Sequence, residues 1–571
     1  MIVPGSWTKA GRARLGAEFW VGLGAASLIA ALSLLPMLRL TLDALDGRII
    51  EEVMRSAALW RALGRSLETS LGGSVIALLI GGGFAMLIGL TNAWGRAMLS
   101  LAVLLPLLIP SQIIALAWLE MFHPVARLAA LVGIEIPPGT PNPLYSPGGI
   151  MLLLGVEQAP IIFLAVRAAL RAMPSDLIEA AQAAGARPRQ VLFTVIAPLM
   201  APAVGAGFGL AFVACLGNFG IPALLGIPAR YPTLPVLIYQ RLSGFGPSIL
   251  GEASVMALTL GIFAAAAVLL VNRLAGPGGH ALVGSSGRAG DFRLPLGNGR
   301  AALSILAWGI ALFMTVLPLL ALAATSVTKA YGLELSAATF TLDHYARAFA
   351  VPQTLRGLWN SFWLSLTAAV VLTLVAIPCA FVGLWSRQRG VRRLFAVLDV
   401  MAQIPYALPG VIVAIAAILL YLKPLPLLDA TLYGTAAIIL LAYLARFLPL
   451  ALRPVQAALL QVDRVLDEAA QAAGAGYGRR LAAIAAPLIL PSALAGALLV
   501  FLTAFNEITV SSLLWSRGNE TIGVAIFFLE ESGDAPGAAA VSVICMGFVF
   551  LFAAVATWLL PRPARRVLPW C

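Results

Sequence analysis

The strongest constraint on this chain is a series of apolar runs, each about as long as a membrane-spanning helix. A helix needs about 20 mostly apolar residues to cross the hydrocarbon core of a bilayer. Roughly twelve such runs can be placed, near 19–41, 67–91, 97–119, 148–170, 200–225, 251–272, 301–325, 361–385, 394–421, 433–453, 488–514 and 537–560. The composition agrees, because 61% of the residues are hydrophobic and only 11% are charged. The sequence therefore predicts an all-α polytopic membrane protein with about twelve transmembrane helices.

The basic residues indicate how these helices are oriented. The formal net charge is +12, and the arginines stand in short clusters between the apolar runs, as at Arg12, Arg14, Arg392, Arg393 and Arg566. An even number of spans places both termini on one side, and an excess of Lys and Arg marks cytoplasmic loops. We therefore expect both termini in the cytoplasm, and the clusters give no reason to expect nucleic-acid binding.

One octapeptide, EAAQAAGA, occurs twice in the chain. The copies run from Glu179 to Ala186 and from Glu468 to Ala475, 289 residues apart, and in each a proline (Pro198, Pro487) follows nineteen residues after the glutamate. On the predicted topology both copies lie in cytoplasmic loops, after the fourth and the tenth span. Since self-similarity at a fixed offset is typical of internal repeats, the chain is predicted to be a tandem duplication.

A second pair of similar stretches supports the duplication. The stretch LPLLIPSQIIALAW from Leu105 resembles IPYALPGVIVAIAA from Ile404. We place the first half at 1–272 and the second at 301–571, with six spans each. Six is an even number, so the two halves insert in the same orientation, as parallel repeats do. The Gly- and Ser-rich stretch 273–300 between them is predicted to be a flexible cytoplasmic linker.

The octapeptide predicts a local shape for each loop. Ser175 and Asp463 can cap a helix start, the Glu-Ala-Ala segment favours helix, and Gly185 and Gly474 interrupt it. We expect a short helix, a bend and a second helix that re-enters the membrane. Such an element exposes a compact, low-bulk surface with an acidic end, suited to a groove on another protein. The alternative is an ordinary amphipathic loop helix, alike in both halves only because they are duplicates.

The duplicated pattern resembles the EAA loop of importer-type ABC permeases, and the likeness of spans and loops extends over nearly the whole chain. The residues that match are Glu179, Ala180, Ala181, Gly185 and Pro198 in the first loop, and Glu468, Ala469, Ala470, Gly474 and Pro487 in the second. The resemblance implies two fused six-helix type I permease units in a bacterial inner membrane. It also implies that the loops dock as coupling helices into two copies of an ABC ATPase subunit, and that a periplasmic solute-binding protein delivers the solute.

The chain carries no signature of an ATPase. A P-loop needs a lysine after its glycines to reach the nucleotide phosphates, and Lys9, Lys329 and Lys423 all lie outside glycine-rich turns. We therefore expect no catalytic residues and no bound cofactor in this chain, with ATP used by the partner subunit.

Two ionisable residues at membrane depth are candidates for the translocation pathway. Glu157 and Arg446 lie within the fourth and tenth spans and correspond at the 289-residue offset. Charged groups inside a membrane are costly and mark functional sites. They either form one charge pair across the interface between the halves, or serve as two separate structural pins.

Polar residues also interrupt the spans that directly follow the two EAA loops. These are Asn218 and Phe219 in the fifth span and Asn506 and Glu507 in the eleventh, with Asn218 aligned to Asn506. We expect them to line the solute pathway. The alternative is that they only form hydrogen bonds between helices.

The solute is a finer prediction. Fusion of both halves, together with NFGIPALLG and NEITVSSLLWSRGNETIGVAIF, resembles the iron(III) and thiamine branch of these permeases, with phosphonate and polyamine relatives close by. We expect iron(III). His123, His280 and His344 lie in different loops, so no metal site is predicted. The alternatives of another class are a secondary transporter driven by an ion gradient, with Glu157 or Glu507 as proton carrier, and a passive channel or scaffold.

Overall fold

The computed structural model describes residues 17–131, 139–244, 248–275, 297–386, 388–424 and 429–561, together with positions 133, 137, 246 and 565. Within these residues the chain is helical, and its β-structure is one isolated bridge between Thr328 and Phe340. Ten helices are long and apolar enough to span a membrane, or up to twelve spans if each of two bent helix pairs counts as one. The expected all-α membrane fold is confirmed. Most of the predicted linker, 276–296, lies outside the described residues.

Within the described residues, the same series of eleven helices occurs in each half. The first half contains α1 Glu18–Ala44, α2 Gly47–Arg55, α3 Ala57–Leu90, α4 Arg96–Leu108, α5 Ser111–Ala126, α6 Pro147–Ala172, α7 Ser175–Ala183, α8 Arg189–Leu216, α9 Gly220–Gly226, α10 Leu234–Leu242 and α11 Ile249–Ala275. The second contains α12 Gly297–Ser326, α13 Asp343–Ala350, α14 Pro352–Trp385, α15 Arg389–Ala407, α16 Gly410–Tyr421, α17 Ala436–Gln461, α18 Val465–Ala472, α19 Tyr477–Phe505, α20 Ser511–Leu514, α21 Ile522–Glu531 and α22 Ala535–Leu559. Each helix thus has its counterpart eleven places further on.

The third and ninth predicted spans are not continuous helices. The chain bends by 110° between α4 and α5 and by 106° between α15 and α16. Pro110 and Pro409 stand at the start of the second helix of each pair and have extended backbone angles. Proline has no N–H to donate and disfavours helix in the residue before it, so each helix ends there and a new one begins. The expectation of single helices over 97–119 and 394–421 was therefore wrong.

The fifth and eleventh predicted spans end earlier than expected. Helix α8 ends at Leu216 and α19 at Phe505, whereas the sequence predicted spans up to 225 and 514. The chain then leaves the helical path before the short helices α9 and α20 begin. Here Asn218 and Glu507 accept hydrogen bonds from backbone N–H groups three residues ahead, which competes with continuation of the helix.

The first helix of each half packs against helices of the other half. Helix α1 packs against α14, α15 and α16 of the second half, and α12 packs in the corresponding way against α4 and α5 of the first. Helix α16 also packs against α11, and α5 packs against α21 and α22. Nearly every residue of α16 is buried, as is the run 112–120 of α5. The second members of the two bent pairs are therefore core elements of the interface between the halves.

Candidate functional site

Each EAA loop contains the bend that the sequence predicted. A left-handed residue follows each loop helix: Gly185, with φ 82°, lies two residues after the end of α7, and Gly474, with φ 80°, lies two residues after the end of α18. In the first loop the N–H of Ala186 donates to the carbonyl of Ala181 at 3.0 Å, and the N–H of Gly185 donates to that of Gln182 at 2.9 Å. The second loop has the same two bonds. This is the Schellman arrangement, which places a residue with positive φ just after the helix and so favours glycine.

The exposed surface of the two loops is the same. Glu179 and Glu468 are exposed, each followed by an exposed alanine and, further on, by the exposed glycine of the bend. Leu177 and Leu466, at equivalent positions, are also exposed, by 46% and 49%. Each loop thus presents a surface of small residues with one carboxylate and one apolar side chain.

The starts of the two EAA loops differ. Asp463 accepts a hydrogen bond from the N–H of Val465 at 3.0 Å, as expected of a capping residue. Ser175 is the first residue of α7 and follows Pro174, and its side chain lies outside the described part of the structure.

The prolines Pro198 and Pro487 lie in the first halves of α8 and α19, and both are exposed. Each stands two residues after a wider, π-helical turn, Leu192–Ile196 in α8 and Leu481–Ala485 in α19. A proline inside a helix removes one hydrogen bond and crowds the preceding turn. The wide turn relieves this crowding, so the proline marks a local change of pitch rather than the end of the helix.

Glu157 and Asn218 form a contact within the first half. The side-chain amide of Asn218 donates to Oε2 of Glu157 at 2.7 Å. Its carbonyl oxygen accepts from the N–H of Ile221 at 3.2 Å. Asn218 therefore connects the middle of α6 to the break after α8.

Arg446 and Glu507 form the equivalent contact in the second half. Arg446 Nη1 lies 3.6 Å from Glu507 Oε1, while Oε2 of Glu507 accepts from the N–H groups of Val510 at 2.8 Å and Ser511 at 3.3 Å. The partner that a buried carboxylate needs is thus Arg446. A charge pair between Arg446 and Glu157 was the wrong alternative, because each has its partner in its own half.

The polar breaks of the two halves correspond with a shift of one residue from the predicted alignment. At the 289-residue offset Asn218 corresponds to Glu507, and Asn506 corresponds to Gly217. The geometry agrees, because Gly217 and Asn506 each stand directly after the last residue of a long helix, with φ of −89° and −86°. The earlier pairing of Asn218 with Asn506 was wrong.

The ends of α8 and α19 each contact the bent pair of the opposite half. The amide of Asn506 donates to the carbonyl of Leu108 at 3.2 Å, just before the break at Pro110. On the other side a Cβ at Gly217 would lie 3.1 Å from the Cα of Pro409. Both helices that follow an EAA loop therefore end against a break in the opposite half.

Gln112 is a buried polar residue of α5 that was not predicted as a site residue. Its side chain is 1% exposed, and its Oε1 has no hydrogen-bond partner within the described residues. It lies next to Gly523 of the second half, where an added Cβ would come 3.0 Å from its Nε2. The available signal was an amide side chain two residues after Pro110, in a largely apolar run.

Phe219 belongs to an aromatic cluster between the halves. It is fully buried, and its ring centroid lies 5.1 Å from that of Tyr239 and 5.9 Å from that of Phe527 in the second half. Phe219 therefore packs at the interface, next to the polar Asn218.

The described residues contain no group of three or more His, Cys, Asp or Glu side chains placed to hold a metal ion. His344 is buried and contacts the carbonyl of Thr328 and the guanidinium of Arg347. His280 and the side chain of His123 lie outside the described residues.

Comparison with known proteins places the chain in a family. The family model of the binding-protein-dependent transport system inner membrane component matches residues 63–276 and again 379–565. A probable ABC transporter permease protein of Sinorhizobium fredii is 25% identical over 88% of this chain and 87% of the relative. A putative ferric transport system permease and an Fe(3+)-transport system permease of Haemophilus influenzae are 26% and 23% identical, over 74% and 82% of this chain and 65% and 83% of those relatives.

The solved structures similar to this chain include a bacterial ABC transporter involved in the import of the acidic polysaccharide alginate. It has a TM-score of 0.39 and 17% identity, over 48% of this chain and 97% of that chain. The two matches of the family model fall on the two structural repeats and together cover more than half of the residues. The chain therefore belongs to the family of binding-protein-dependent transport system inner membrane components, as an ABC importer permease with two fused membrane domains.

Proposed function

We propose that this chain is the permease of an ATP-driven importer for iron(III), loaded by a periplasmic binding protein. Two copies of a separate ATPase subunit dock on the two EAA loops. The observation that carries the proposal is the repetition of one exposed, low-bulk surface at two equivalent positions of a duplicated membrane fold. Two equal surfaces fit two copies of one partner.

The chain itself binds no nucleotide in this proposal. Its lysines lie outside glycine-rich turns, so the energy comes from the partner subunit. The permease has no cofactor of its own, and its part is mechanical: movement of an EAA loop is passed to α8 or α19, which ends at the polar break.

We further propose that the residues at and beside these breaks line the solute pathway. Asn218, Phe219, Asn506 and Glu507 lie at the breaks, and Glu157 and Arg446 contact them from α6 and α17. Normal uptake by variants at these contacts would assign them to interhelical hydrogen bonding alone.

Two observations support iron(III) as the solute. Two of the similar permeases transport ferric iron by name. In addition, Glu157 has a neutral amide as its hydrogen-bond partner, whereas Glu507 has a cation, so no described cation competes with a cationic solute for Glu157. The second candidate is a phosphonate, because a putative 2-aminoethylphosphonate permease of Salmonella typhimurium is 26% identical over 44% of this chain.

Reconstitution tests the function. The permease is placed in proteoliposomes with its ATPase and binding protein, and uptake of radioactive iron(III) and of 2-aminoethylphosphonate is measured with and without ATP. We expect ATP-dependent iron uptake and ATP hydrolysis stimulated by the iron-loaded binding protein. Uptake driven by an ion gradient without ATP would contradict the importer, and phosphonate uptake alone would contradict the choice of solute.

The orientation is tested by labelling from outside. With both termini cytoplasmic, a Ser285→Cys variant in the linker should stay unlabelled by a membrane-impermeant maleimide in intact cells. The matched control is Ser336→Cys, an exposed position between α12 and α13 on the predicted outer side, which should label fully. Strong labelling at position 285 in intact cells would overturn the twelve-span topology.

A further inference from the structure

A buried ionic triad lies at the base of the second EAA loop. Arg480 donates from Nη1 to both carboxylate oxygens of Asp467, at 3.0 and 2.8 Å, and from Nη2 to Oε1 of Glu18 at 2.9 Å. Asp467 is fully buried and Arg480 is 6% exposed. Asp467 lies in α18 and Arg480 at the start of α19, on the two sides of the bend in the second loop, whereas Glu18 is the first residue of α1 in the opposite half. The triad therefore connects an EAA loop to the other half of the protein.

Other contacts hold the same region together. Ser386, just after α14, donates to Oε2 of Glu18 at 2.7 Å. Arg464, at the start of the second loop, donates to the carbonyl of Trp385 at 3.3 Å. Both oxygens of Glu18 are therefore engaged, and the start of α1 is held against the end of α14 and the second EAA loop at once.

The first EAA loop has a different base. At the 289-residue offset, Ile178 replaces Asp467 and Val191 replaces Arg480, and both side chains are buried. The position of Glu18 is taken by Arg300, in the register that aligns Pro36 of α1 with Pro318 of α12. The guanidinium of Arg300 lies over the ring of Trp94, 5.9 Å from its centroid. The base of the first loop therefore contains two buried apolar side chains at the positions where the second loop has an ion pair.

This difference indicates which role the ionic residues have. They could keep the loop folded, or they could connect the loop to the opposite half. A buried ion pair can be replaced by apolar side chains of similar size with little loss of stability, and the first loop shows such a replacement within the same fold. Asp467 and Arg480 are therefore not required to keep the loop folded. What the ionic version adds is the bond to Glu18, since a valine at position 480 has no group to donate.

We propose that Glu18, Arg480 and Asp467 form a strut that makes α1 move with the second EAA loop. This inference rests on the proposed function, in which a motor subunit moves that loop. The two loops are then mechanically unequal. The second acts on its own half through α19 and on the opposite half through α1, whereas the first acts mainly through α8. Glu18 and Arg480 are positioning residues in this scheme.

The test changes Glu18, the member of the strut that lies in the opposite half, and leaves the second EAA loop unchanged. In a Glu18→Gln variant the Asp467–Arg480 pair remains, but the charge-assisted bond across the halves is weakened. We expect the solute taken up per ATP hydrolysed to fall about tenfold, the equilibrium equivalent of losing such a bond. Hydrolysis without binding protein should remain unchanged. The matched control is Arg300→Gln at the equivalent position of α12, which should stay within about twofold of the parent protein.

A double substitution and a distance measurement test the strut without a transport assay. The double substitution Asp467→Ile with Arg480→Val copies the apolar base of the first loop and should insert normally while showing the defect of Glu18→Gln. Spin labels at Val465 and Trp20, both exposed, report the distance between the loop and α1 in the purified chain. We expect a narrow distribution in the parent and a broad one in both variants. Equal distance distributions in the parent and both variants would overturn the strut, whatever the transport activity. A normal amount of solute taken up per ATP hydrolysed in both variants would also overturn it.

Discussion

Replacing Arg446 with alanine is expected to destabilise the protein by about 3–5 kcal/mol, because it leaves a buried carboxylate without its cation. The Glu507 side chain is 7% exposed and that of Arg446 is 19% exposed, so water replaces the lost partner poorly. The bonds from Val510 and Ser511 to Glu507 Oε2 remain and limit the loss. The measurement is the thermal unfolding midpoint of the purified protein in detergent, together with the yield of monodisperse protein.

The equivalent substitution in the first half is the matched control. Glu157→Ala removes the acceptor of the Asn218 amide and leaves a neutral donor rather than a charge, which costs about 1–2 kcal/mol. Arg446→Ala should therefore lower the midpoint clearly more than Glu157→Ala. Equal losses at the two positions would contradict the view that one contact is ionic and the other is a hydrogen bond to a neutral amide.

Conservative variants at the same two contacts test the pathway proposal. Glu157→Gln keeps an acceptor for Asn218, and Glu507→Gln keeps acceptors for Val510 and Ser511, so both should fold. If these carboxylates meet a cationic solute, uptake per folded molecule should fall in at least one of them. Normal uptake and normal solute-stimulated ATP hydrolysis in both, and in Asn218→Ala, would leave these residues as interhelical contacts only.

The sequence predicted the features that depend on local chemistry. The apolar runs located the long helices, because the thickness of the bilayer sets their length, and they reach twelve spans if each bent pair counts as one. The bend of each EAA loop followed from a helix-forming segment that ends in glycine at Gly185 and Gly474. The equivalence of Asn218 and Glu507 was also accessible, since the offset of the octapeptides leads to it directly. Aligning the two asparagines by residue type concealed it.

The remaining features depend on tertiary contacts that have no local signal. Pro110 and Pro409 break their spans, yet Pro160 and Pro449 lie inside the continuous helices α6 and α17. A proline in an apolar run therefore does not distinguish a bend of more than 100° from an intact span. Glu18 and Arg480 are 462 residues apart, and nothing in either segment indicates that they meet. Such contacts follow from the way α1 crosses to the opposite half.

Gly185→Val and Gly474→Val are expected to impair coupling strongly while leaving the protein in the membrane. Both glycines have positive φ, and a Cβ added at either would meet no atom within 4 Å. The effect therefore comes from backbone strain and not from a clash. The left-handed conformation costs an ordinary residue about 1–2 kcal/mol, and a β-branched residue more. That cost lowers the ratio of bent to unbent loop roughly 5–30-fold.

Asparagine provides the control for this argument, because its short polar side chain tolerates the left-handed region. Gly185→Asn and Gly474→Asn should keep most of the activity, although the asparagine side chain has at least as many atoms other than hydrogen as that of valine. The measurements are co-purification of the ATPase subunit, solute-stimulated ATP hydrolysis and uptake in proteoliposomes. The valine variants should lose all three and the asparagine variants should retain them. If valine and asparagine behave alike, the bend is not what the partner recognises, and the two EAA loops are alike only because the halves are duplicates.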